Sequence, residues 1–60
     1  MQENMRYGVG SRVRVQLRSG DLIVAEVTAI NDEPSGRKVE IIFGGVTASV
    51  DPEQITWVLT

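Results

Sequence analysis

Arg12-Val13-Arg14-Val15-Gln16-Leu17-Arg18 is the stretch that decides how this chain folds. Apolar and polar residues alternate through it without a break, a period of two that sets Val13, Val15 and Leu17 on one face and Arg12, Arg14, Gln16 and Arg18 on the other. It reads as a strand with one buried and one wet face. Ser19-Gly20-Asp21 stops it, since Gly20 adopts positive φ without steric cost and Asp21 favours turns.

The same period continues outward along the chain. Leu22 to Ile30 puts Ile23, Ala25, Val27 and Ala29 on one face and Val24, Glu26, Thr28 and Ile30 on the other. Nine residues suit a strand that bends to serve both sides of a closed sheet. Asn31 to Gly36 is expected as a loop, because Pro34 cannot donate to a ladder. Arg37 to Phe43 then points Val39, Ile41 and Phe43 inward and Lys38, Glu40 and Ile42 outward. Gly44-Gly45 is a two-residue hairpin connection, since both positions tolerate the positive φ of a primed turn. Val46 to Val50 returns as a fourth strand with Val46, Ala48 and Val50 on one face. Asp51-Pro52-Glu53-Gln54 has the N-cap, the first-turn proline and the reaching glutamine of a single helical turn. Ile55 to Leu59 closes as a fifth strand, with Ile55, Trp57 and Leu59 sharing a face.

The expectation is an all-β protein: a single five-stranded closed barrel over residues 9–60, behind an N-terminal tail of residues 1–8. Sixty residues bury only about 60% of the surface their unfolded chain exposes, so stability is marginal. Small folds compensate with disulfides, metals or oligomerisation. The chain has no Cys and no His, which leaves oligomerisation. No segment approaches the roughly 20 apolar residues of a membrane helix, and Met1 to Gly10 lacks the apolar run of a signal peptide. A soluble, cytoplasmic protein without metal or cofactor is expected.

The segments Val9-Gly10-Ser11-Arg12-Val13-Arg14-Val15, Gly20-Asp21, Ala25-Glu26-Val27 and Val39-Glu40-Ile41-Ile42-Phe43-Gly44, with Val50 and Ile55, resemble the Tudor-like branch of the Src-homology-3-like small barrels. The resemblance covers most of the chain and implies that fold, with one helical turn before the last strand. Methyl-ligand reading by an aromatic cage does not carry across: Leu22-Ile23 and Gly44-Gly45 stand where that family supplies rings. A looser likeness is to small barrel-shaped dihydrofolate reductases that work as tetramers around a pore, without a matching pore motif.

Catalytic groups are scarce. Ser11, Ser19, Ser35 and Ser49 lie outside any nucleophile-elbow context, Asp32-Glu33 falls in the expected loop, and Asp51 is accounted for as a cap. Charge is more informative. The net value is −2, yet residues 1–20 carry Arg6, Arg12, Arg14 and Arg18 against Glu3 alone, while residues 21–60 carry Arg37 and Lys38 against seven acids. Alternate residues on a strand lie about 6.6–6.8 Å apart, close to successive phosphates of a nucleic-acid strand. Arg12, Arg14, Gln16 and Arg18, extended by Arg37 and Lys38, therefore form a candidate stripe for RNA, DNA or an acidic partner. The competing reading pairs them across the ladder with Glu26, Glu40 or Glu53.

Apolar residues are also in excess. Once one face of each strand fills the interior, Leu22, Val24, Ile30, Ile42 and Val58 are left outside, and Trp57 falls either in the core or at an interface. Such a remainder marks a protein-binding surface. The reading preferred from sequence is a non-enzymatic interaction module that self-associates or binds another protein through these residues and its strand edges. A nucleic-acid-binding barrel is the alternative, and an oligomeric enzyme with a site on a symmetry axis the third.

Overall fold

The first strand alternates in space as it does in sequence. In the computed structural model, which describes residues 6–60, β1 spans Arg12–Gln16, with Val13 and Val15 fully buried and Arg12, Arg14 and Gln16 exposed. It is followed by β2 (Leu22–Glu33), β3 (Gly36–Phe43), β4 (Val46–Val50), a 3-10 turn (Pro52–Gln54) and β5 (Ile55–Val58). The strands form one antiparallel sheet in the order β4-β3-β2-β1-β5.

Among the described residues, the fully interior positions come from one face of this sheet: Val13, Val15, Ala25, Val27, Val39, Ile41, Val50 and Ile55. With no helix layer over them, they are buried by one another, which requires the sheet to curl strongly on itself. Each Val or Ile so buried contributes about 1.5–3 kcal/mol. No buried residue of the described chain is polar. β4 and β5 are the two edges and share no ladder, so where closure is expected from sequence the sheet is open between them. Tyr7 packs against this core, inside the stretch assigned to the tail; residues 1–5 of that tail lie outside the described residues.

Three departures from the expected pattern share one cause. Pairing across the sheet is set by the partner strand as well as by local alternation. First, Asn31 to Glu33 extend β2 instead of starting a loop, because Asn31 pairs with Lys38, Asp32 with Arg37 and Glu33 with Gly36. Pro34 and Ser35 alone make the turn, and Pro34 stands just beyond the ladder, where its missing N–H costs nothing. Second, the β2–β3 register shifts between Val27 and Ala29. Thr28 is the extra residue of this bulge, and its hydroxyl donates to the Glu40 carbonyl at 3.2 Å. Beyond it the faces exchange, so Ile30 packs against the core, opposite Val39, instead of pointing outward. Third, the β1–β5 register shifts between Arg14 and Val15. Thr56 is the extra residue there, and Val58 turns to the core while Trp57 and Leu59 are exposed. Ile30 and Val58 therefore leave the outward apolar set.

The Gly44-Gly45 connection has φ values of 56° and 79°, the double positive φ of a type I′ hairpin. A Cβ at either position meets nothing within 4 Å, so substitution acts through the backbone alone. Gly45→Ala is expected to lower stability by about 1–2 kcal/mol, and Gly44→Asn, which tolerates the left-handed region, by much less. Urea midpoints of the two variants check this.

Candidate functional site

Alternation along β1 lifts Arg12, Arg14 and Gln16 onto the outer face of the sheet, and pairing decides their neighbours. Arg14 lies between Trp57 of β5 and Val24 of β2; Arg12 is opposite Glu26, which is opposite Ile42 of β3; Gln16 is opposite Leu22. Residues directly opposite on one face of such a ladder have Cβ atoms about 4.5–5.5 Å apart. Leu22, Val24 and Trp57 are 59%, 51% and 52% exposed, a concentration of apolar surface on one side of a small domain. The backbone beneath is held firmly: the Arg12 carbonyl accepts from the N–H of Leu59 at 2.8 Å, and the Arg14 carbonyl accepts from the Thr56 hydroxyl at 3.3 Å. A shallow hollow opens on the same face beside the Gly44-Gly45 turn, lined by Arg12, Val24, Glu26 and Ile42.

The other expected cations are engaged elsewhere. Arg18 donates to the Asp51 carboxylate at 3.1 Å, Lys38 donates to its other oxygen, and Arg37 donates to Asp32 at 2.8 Å. The acids used are Asp51 and Asp32, not Glu26, Glu40 or Glu53; Glu40 instead accepts from Asn31 at 2.8 Å. Among the described residues Arg12 and Arg14 form no ion pair. Of the six residues of the stripe drawn from sequence, Arg12, Arg14 and Gln16 share the outer face of β1, whereas Arg18, Arg37 and Lys38 are ion-paired.

Asp51 joins three elements. It takes the N-cap position of the 3-10 turn, and Gln54 reaches back to accept its N–H at 3.0 Å. The same glutamine donates to the Gln16 carbonyl at 3.1 Å, fastening the turn to β1. The Lys38 hydrogen bond holds the Asp51 carboxyl below the usual carboxylate range, against a smaller upward push from burial, and Arg18 adds to the lowering. Arg37 likewise holds Asp32 low, chiefly by its hydrogen bond. Both groups titrate lower folded than unfolded, so each adds stability above the unfolded value of about 3.9. That contribution is lost as pH falls through the folded values. Urea midpoints are expected to decline on acidification below about pH 5, and Asp51→Asn to flatten that decline.

Among the described residues no cluster of acids has metal-ligand geometry, and no helix is long and apolar enough to cross a membrane. Sequence reasoning did not find the hollow or the place of Glu26 in its wall. The signal available was the shared outward parity of Arg12, Glu26 and Ile42, but the register that joins them is not written in any one strand. Comparisons with protein-family models, curated proteins and solved structures find no match to this chain.

Proposed function

We propose that the chain is a non-enzymatic interaction module, a Src-homology-3-like small barrel of Tudor-like pattern left open between β4 and β5. It docks a protein, either a further copy of itself or another chain, on the outer face of β5, β1 and β2 and along the adjoining strand edges. The strand order and the single 3-10 turn before β5 support this form of the fold. One observation carries the function: Arg14 sits in register between exposed Trp57 and exposed Val24 with no acid on it among the described residues. Trp and Arg are the residue types enriched where proteins bind one another, and here an arginine stands between an exposed indole and an exposed valine.

Arg12 and Arg14 beside an exposed indole also suit single-stranded nucleic acid, with Trp57 as a stacking platform. Magnitude decides against that reading as the first choice. Two neutralised phosphates give a log–log salt slope of only about −1.4, on a chain of net charge −2.

A benzophenone side chain placed at Leu22, compared with one at Ser35 in the β2–β3 turn, separates these readings. Protein cross-links in cells from position 22 and not from 35 are expected. No protein cross-link from 22, together with oligonucleotide binding abolished by Arg12→Ala plus Arg14→Ala, transfers the face to nucleic acid.

A further inference from the structure

We infer that the occupant of this face is a second copy of the chain, related by a two-fold axis, with Trp57 of each protomer seated in the partner's hollow. The inference rests on the docking face described above and deepens it by naming what covers it.

Knob and hole lie on one surface. Trp57 projects from β5, half exposed, while the hollow spans from Arg12 of β1 over Val24 and Glu26 of β2 to Ile42 of β3, beside the Gly44-Gly45 turn. Trp57 is not among the residues that line it: neighbouring strands are about 4.8 Å apart, so the β2 wall stands roughly 10 Å from β5, with Arg14 in register between Trp57 and Val24. A two-fold operation exchanges the positions and satisfies both sites at once, and such an interface closes at the dimer.

The chemistry of the hollow matches what arrives. Val24 and Ile42 offer apolar wall. An indole also carries one N–H that requires an acceptor once buried, and the Glu26 carboxylate is present in that wall. Arg12, opposite Glu26 in register, supplies a cation for the indole face. Arg12 and Glu26 form no ion pair with each other despite that register, which leaves both signs of charge available on a self-complementary face. The core adds a reason for self-association: among the described residues its eight buried side chains are no larger than Ile, and the only tryptophan of the sequence lies outside it. Covering such a side chain with a copy of itself takes apolar surface out of water and stabilises the folded form by mass action.

Trp57 is the sole tryptophan, so its emission reads the seat directly. Expected are a blue shift as the chain is concentrated, sedimentation that stops at the dimer, and association loosened at least ~30-fold by Trp57→Ala or by Glu26→Arg. Both residues are exposed, and circular dichroism of each variant confirms that it folds. Mixing gives the sharper test. Trp57→Ala keeps the hollow and has no indole emission, Glu26→Arg keeps the indole, and an excess of the first is expected to blue-shift the indole emission of the second. A wild-type chain that is monomeric with unchanged emission at all concentrations overturns the inference, as does a dimer that survives Trp57→Ala. If position 22 nevertheless cross-links to another protein, the docking face stands and only the second copy is lost; if it cross-links to none, both fail.

Discussion

Val15→Asp is expected to leave the chain unfolded at room temperature, whereas Arg14→Asp, one residue away, keeps it folded. Val15 is fully buried, opposite Ile23 and Ile55. No polar side chain among the described residues is buried with it, so a carboxylate there has nothing to hydrogen-bond. Burying such a group costs several kcal/mol even when it protonates. A domain of this size has about 3–8 kcal/mol of total stability. Position 14 faces water, and surface substitutions shift stability by about half a kcal/mol. Far-UV circular dichroism and urea titration of the two variants give the contrast; equal stability would sink the assignment of inner and outer faces on which the docking surface depends.

Ile41→Ala carries the next largest effect, a loss of about 2–5 kcal/mol. Ile41 is fully buried on β3, paired with Val27 on β2 and Ala48 on β4. The small Ala48 opposite cannot swell to fill the space, so the cavity persists and the upper half of the range applies. Since this approaches the whole stability of the domain, the urea midpoint is expected to fall close to zero denaturant. If the outer face is covered by a second copy, raising protein concentration restores part of the loss by mass action.

Legibility from the sequence follows the range of the forces involved. The inner set Val13, Val15, Ala25, Val27, Val39, Ile41 and Ile55 is read correctly because none of them lies beyond a bulge in its own strand, so burial there follows parity alone. The Gly44-Gly45 turn is equally legible, since its positive φ is a property of two adjacent residues. Ile30 and Val58 are misplaced because a bulge precedes each, at Thr28 and Thr56. A bulge inverts the parity of everything that follows, and nothing in Thr28 or Thr56 distinguishes it from an ordinary strand residue. Asn31-Asp32-Glu33 has turn composition, yet the Asp32–Arg37 ion pair and its ladder hold it extended.

The arginine strand shows both halves of the matter. Its alternation alone determined that Val13 and Val15 are interior and that Arg12 and Arg14 are not, because side-chain direction on a strand is local geometry. Only the tertiary structure decided what each arginine does. Arg18 is drawn to Asp51, thirty-three positions away, while Arg12 and Arg14 are set among Val24, Glu26 and Trp57. Those neighbours arrive from strands before and after the turns, and contacts across a sheet are chosen by register, which belongs to pairs of strands and to no single segment of chain.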